Sequence, residues 1–312
     1  MFKTPEGEGK FLDAYAAAMK RWPVPFQAVD VLGRFGRTHV VVSGPRNAPP
    51  LVLLHGYMAT SAMWAPNVGD FAKDHRVYAI DVMGQPSLSI PTEPIRSADD
   101  YAVWLDETLD ALYLDRVSLV GQSYGGWLAL NFALFAPHRL HTLVLLSPGG
   151  GFAPMARQFS LRGMLMVWFP SRLTVNWFMR WLGVTGAAAR PILELTYLGL
   201  KHFQVPVETL RVLPVVFPDY RLRAMRVPTL LLIGRREVVW NPVTALRRAR
   251  ELFPDIQAEL VPNSSHEMCL SQREFVDARV RQFLNTASTK RGGPRVRVSV
   301  SPMDDRVGSL AV

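Results

Sequence analysis

Six short apolar runs, at 51–54, 77–80, 117–120, 143–146, 230–233 and 258–261, each end in a polar or glycine turn. Runs this short and this uniformly apolar suit strands buried on both faces, the condition of a parallel sheet. Helix-period patterns lie between them at 97–112, 126–135 and 243–252 and after the last at 272–283. Strand and helix in alternation predict a doubly wound α/β sheet. Ahead of the first run, β-rich stretches at 28–32 and 38–43 flank Gly33, Arg34, Phe35 and Gly36 and predict an antiparallel hairpin. Before the hairpin, an amphipathic helix is expected over 8–22, carrying Phe11, Leu12, Tyr15 and Met19 and stopped by Pro23.

One connection breaks the rhythm. Residues 151–226 separate the run at 143–146 from that at 230–233, too long for a crossover and rich in Met164, Met166, Trp168, Phe169, Trp177, Phe178 and Trp181. The expectation is a helical cap inserted at 151–226 into a core made of 1–150 and 227–284, with most of the cap's Met and aromatic side chains serving as its own core and some of them lining an apolar substrate pocket. Residues 285–312 hold few large apolar side chains and read as a disordered basic tail. Charged residues near the start, MFKTPEGEGK, stand where a secretory leader needs an apolar stretch. No run approaches the roughly 18–20 apolar residues of a membrane span, so the expected protein is cytoplasmic and not integral to a membrane. Cys269, the single cysteine, excludes an internal disulfide framework and any multi-cysteine zinc site.

Four places carry chemistry. Gly121-Gln122-Ser123-Tyr124-Gly125 follows the strand VSLV and precedes a helical run, the setting in which a strained turn projects a serine hydroxyl. His55-Gly56-Tyr57 directly follows PLVLL, so the Tyr57 and Tyr124 backbone N–H groups are the candidate donors to a developing oxyanion. His55 itself reads as a packed structural residue. His266 lies just beyond the last strand, at the carboxyl edge where such sheets place their sites. The turn after the strand at 143–146 has no carboxylate, whereas Gly234-Arg235-Arg236-Glu237 follows the next one. Glu237 is therefore the candidate acid in the order Ser, acid, His, its alternative being an ion pair with Arg235 or Arg236. Asp81 sits at a strand end too, but precedes Ser123 and is assigned to holding its own turn.

With the segments VLLHGYMATSAMW, AIDVMGQPSLSIP, DYAVWLDETLDAL, VGQSYGG, LLLIGRREVVWNP and NSSHEM, these residues resemble the α/β-hydrolase superfamily over about 24–284. Within it the chain is most similar to bacterial carboxylesterases of the naproxen-ester-hydrolysing type. The resemblance implies the α/β-hydrolase fold, Ser123 as nucleophile, His266 as base, Glu237 as acid, a mobile cap, and no metal or organic cofactor. Four positions depart from the superfamily's usual pattern: Glu237 replaces Asp, Asn241 stands where a second carboxylate is often found, and Ser264 and Ser265 stand where Gly is common.

The expected reaction is hydrolysis of a small to medium apolar ester through an acyl-enzyme. Lactonase, thioesterase or carbon–carbon bond hydrolase chemistry would use the same groups, as would a cyclase or lyase. An apolar-ligand binder is the remaining alternative, and it has no need of all three side chains. The net charge of +9 raises nucleic acid as a partner, but no recognition helix accompanies it. The excess lies mainly in the cap, where 151–225 holds nine Lys and Arg against three Asp and Glu. Weak binding of that cap to an anionic interface is the surviving expectation; oligomeric state is left open.

Overall fold

A computed structural model describes residues 1–289. The chain opens with α1 (Pro5–Met19), then forms β1 (Phe26–Gly33), β2 (Gly36–Ser43), β3 (Pro50–Leu54), α2 (Ala65–Phe71), β4 (Arg76–Ile80), the short β5 (Ile90–Pro91) and α3 (Ala98–Ala111). Next come β6 (Val117–Gln122), α4 (Tyr124–Phe135) and β7 (Leu140–Leu146). A helical excursion then carries α5 (Arg157–Trp168), α6 (Arg172–Trp181), α7 (Arg190–His202), α8 (Val207–Leu210) and α9 (Asp219–Arg223). The chain returns through β8 (Thr229–Gly234), α10 (Pro242–Leu252), β9 (Ile256–Val261), α11 (Met268–Ser271) and α12 (Arg273–Thr289).

The strands form one sheet in the order β1-β2-β4-β3-β6-β7-β8-β9, with β5 paired to β2. Pairing is antiparallel at the β1–β2 and β2–β4 seams and parallel from β4 to β9. Every residue of β6 and β8 is buried, so these strands are covered on both faces, as the uniform apolar runs predict. Full burial of a Leu, Val or Ile side chain is worth about 1.5–3 kcal/mol, which makes the middle of the sheet the anchor for everything at its edge. Leu54 stands opposite Gly121 across the β3–β6 seam. That register sets the turn carrying Gly56 and Tyr57 beside the turn carrying Ser123.

Three expected boundaries are corrected. Helix α1 starts at Pro5 because the Thr4 side chain caps it by accepting from the Gly7 N–H, and it ends at Met19 rather than Trp22. The Trp22 indole leaves the helix to donate to the Ser43 hydroxyl at 2.9 Å. In the hairpin, Gly33 pairs with Gly36, so the connection is a two-residue turn at Arg34 and Phe35. Helix α12 continues to Thr289, five residues into the expected tail; 290–312 lies outside the described residues.

The excursion is pinched at its base. Gly151 N–H donates to the Val215 carbonyl at 2.9 Å, and Phe217 N–H returns to the Gly151 carbonyl at 3.1 Å. Helix α7 packs against α1, with Lys3 N–H bonded to the His202 carbonyl and Phe2 edge-on to Phe203. Among the described residues, no helix is long and apolar enough to cross a membrane.

Candidate active site

Ser123 occupies the turn between β6 and α4 with φ 53° and ψ −116°, a conformation costing about 1–3 kcal/mol for a side-chain-bearing residue. Its N–H is held by the Leu146 carbonyl at 3.0 Å, and its own carbonyl accepts from Trp127 and Gly149. The flanking glycines are needed for space. A Cβ on Gly121 would lie 2.2 Å from the Gly125 carbonyl oxygen, and one on Gly125 would lie 2.3 Å from that of Leu54. Both obstacles are backbone, so the motif's spacing follows from the approach of β6, α4 and the end of β3.

His266 reaches the serine from the turn after β9, its Nε2 2.7 Å from Ser123 Oγ. On its other side Nδ1 lies 3.0 and 2.9 Å from the two carboxylate oxygens of Glu237. With the Nδ1 proton donated to that carboxylate, Nε2 is left to accept from the hydroxyl. Glu237 is buried and does not pair with Arg235 or Arg236. Its Oε1 accepts the N–H groups of Val238 and Val239, each at 2.8 Å. Burial alone would raise the Glu237 carboxyl, but the His266 charge, the imidazole bond, the Val239 N–H and the Ser147 hydroxyl outweigh it and hold the group below its usual range. For His266, burial pulls downward and the Glu237 carboxylate, with a smaller push from Glu267, lifts it above its ordinary value.

The turn after β3 completes the front of the site. His55 is fully buried; its Nε2 accepts from the Val82 N–H at 2.8 Å while Nδ1 donates to the Gly56 carbonyl at 2.8 Å. Burial lowers its pKa, consistent with a neutral bridging imidazole that locks two turns together. Met58 follows at φ 58°, its N–H held by Gln85 Oε1 at 3.1 Å. Between them Tyr57 lies edge-on to the Tyr124 ring, centroids 5.5 Å apart. Tyr124 is the first residue of α4, so its N–H has no carbonyl one turn back to bond and carries the positive end of the helix dipole. Asp81 holds turns, as expected: its carboxylate accepts from Ser61 N–H at 2.7 Å and Leu88 N–H at 3.0 Å. Asn241 caps α10 through the N–H groups of Val243 and Thr244.

Ser123 and His266 lie in the wall of a cavity of about 340 Å³. Tyr57, Met63 and Val239 line it from the sheet side, and Phe159, Met179 and Ile192 from the excursion. Of the excursion's Met and aromatic residues, Met164, Met166 and Phe178 are those that line this cavity, whereas Trp168, Phe169 and Trp177, expected inside, are exposed. The reason is thickness: single helices laid over a cavity have one face on it and the other on solvent, with no third layer to bury a second apolar stripe.

Three residues escape the sequence reading. Ser147 supports Glu237 from the strand end that lacks a carboxylate. Gln122, between Gly121 and Ser123, donates to Glu267 Oε2 at 3.2 Å. Glu267 lines the cavity beside His266, its other oxygen without a protein partner, and burial pushes its pKa up to about 7. Its only sequence signal is adjacency to His266. Cys269 is buried and its thiol pushed well up. Among the described residues, no group of three or more His, Cys, Asp or Glu is placed to hold a metal ion.

Residues 49–176 match the α/β-hydrolase fold family. An uncharacterized carboxylesterase, nap, of Bacillus subtilis is 35% identical over 88% of this chain and 92% of its own length. The carboxylesterase YbfK of the same organism is 33% identical over 91% of this chain and 96% of its own. Among solved structures, that of naproxen esterase (carboxylesterase NP) from Bacillus subtilis superposes with a TM-score of 0.85 at 33% identity, covering 91% of this chain and 100% of the other. With a serine on the elbow, an imidazole on the serine and relatives matched almost end to end, the chain belongs to the α/β-hydrolase family, as a carboxylesterase-like member.

Proposed function

We propose that this protein hydrolyses carboxylic esters of small to medium apolar substrates through an acyl-enzyme on Ser123. The observation that carries the reading is the unbroken buried chain from Glu237 through His266 to Ser123 Oγ, opening on an apolar cavity. In the first step His266 Nε2 takes the hydroxyl proton as Oγ attacks the ester carbonyl, and the Tyr57 and Tyr124 N–H groups receive the oxyanion. The imidazolium then returns the proton to the departing alcohol. Water, deprotonated by the same nitrogen, releases the acid. Glu237 keeps the proton on Nδ1 and stabilises the imidazolium between these steps.

Residues 151–226 act in this scheme as a cap over a core formed by 1–150 and 227–284. The cap supplies the aliphatic and aromatic wall of the acyl site and keeps bulk water from the acyl-enzyme. The carboxylesterase names of the relatives support the ester as substrate. A fluorophosphonate probe should label the wild-type protein at Ser123, and Ser123→Ala should lose both labelling and turnover of p-nitrophenyl butyrate while keeping its circular dichroism spectrum. Turnover unchanged in Ser123→Ala overturns the assignment.

A further inference from the structure

Helix α5 is apolar on both faces: Phe159, Met164 and Met166 line the cavity, and a second apolar stripe faces outward. Leu161, Leu165 and Trp168, at helical spacing, are 57%, 47% and 64% exposed, and Arg157 extends the same stripe by one turn. Phe169 follows at 64%, and on α6 Leu173 and its i+4 neighbour Trp177 are exposed at 82% and 45%. The two helices pack together, and Arg162 lies 4.5 and 4.8 Å from the ring centroids of Trp177 and Trp181, joining them face to face. A cluster of Leu, Trp and Phe left outward is the type of patch that marks an interaction surface.

Charge selects the occupant. Residues 116–193 contain no Asp or Glu, while α5 and α6 carry Arg157, Arg162, Arg172 and Arg180. Of these, Arg172 is paired with Glu194 at 2.6 Å. A second copy of the same face would bring like charges together, whereas an anionic interface complements them. Aromatic rings beside arginines suit the headgroup level of a bilayer. The patch also reaches the cavity: Met164 and Val167 are exposed and line it as well.

We propose that the outer faces of α5 and α6 dock on an anionic lipid bilayer, and that apolar esters dissolved there enter the cavity past Met164 and Val167. The second clause rests on the esterase reading above; the docking does not.

Flotation of the full chain with vesicles separates the two. Vesicles of phosphatidylglycerol and phosphatidylcholine in equal parts should carry the protein upward, and pure phosphatidylcholine should not. Trp168→Ser with Phe169→Ser and Leu173→Ser should abolish flotation. Arg157→Gln with Arg180→Gln should lower partitioning about twenty-five-fold, two charges each contributing about a factor of five near an anionic surface. Both variants should turn over p-nitrophenyl butyrate in solution at the wild-type rate, which certifies their folding. Ser123→Ala should float like the wild type, so a failed hydrolysis assignment leaves this test intact. Absence of flotation, equal flotation with both lipids, or a concentration-dependent dimer that the Trp168, Phe169 and Leu173 changes dissolve would each overturn the proposal.

Discussion

At the scale of single residues, the Glu237–His266 pair shows how burial and charge oppose one another and which prevails. Desolvation disfavours both ions, yet each partner's charge stabilises the other, so the carboxyl is held down and the imidazole up. In the proposed mechanism His266 acts as base only when neutral, so kcat/KM should rise with pH through a midpoint above the ordinary imidazole value. Glu237→Gln removes the charge that lifts it and leaves burial to pull it down. Its acid limb should therefore shift to lower pH while kcat falls on the order of 10³–10⁴-fold, measured as a pH–rate profile on a soluble ester. An unshifted limb would mean that another group sets it.

At the scale of elements, the elbow depends on packing as much as on the serine. Gly125 stands where β6, α4 and the end of β3 converge, and a methyl there meets the backbone oxygens of Leu54 and His55 at 2.3 and 2.5 Å. Gly125→Ala should cost at least about 2 kcal/mol in urea unfolding, and should lower turnover as well because the turn that follows β3 carries Tyr57. This part of the site was legible in the sequence, since the spacing Gly121, Ser123, Gly125 and the strand and helix around it are local. Glu237 was legible because only one strand end in the required order bore a carboxylate. The direction of α5 was not. Helical periodicity reveals that an apolar stripe exists and how wide it is, but whether the stripe faces a cavity, a core or solvent depends on which layers lie above and below. For the same reason the sequence does not reveal Ser147 and Gln122: their partners, Glu237 and Glu267, arrive from beyond β8 and beyond β9.

At the scale of the whole molecule, one buried carboxyl, that of Asp277, acts on stability rather than position. Burial pushes Asp277 up to about 7 from an ordinary 3.8; Asn67 Nδ2 donates to its Oδ1 at 2.8 Å, and its Oδ2 lacks a partner. Between those two values the folded protein keeps a proton that the unfolded chain has released, so stability falls as pH rises through this window and is flat above it. Asp277→Asn keeps the acceptor for Asn67 and removes the ionisation. It should raise stability by about 2–4 kcal/mol at pH 8 and leave it nearly unchanged at pH 4, read as thermal midpoints at the two pH values. Equal shifts at both would assign the gain to packing. The order of strands has a temporal consequence as well. Ser123 leaves β6 in the middle of the sheet, while His266 follows the last strand, 143 residues later. At about 5–20 residues per second of synthesis, a nascent chain carries its serine for roughly seven to thirty seconds before the imidazole exists. In the proposed mechanism the hydroxyl is an ordinary alcohol throughout that interval, so the order of synthesis alone withholds hydrolysis from an unfinished chain.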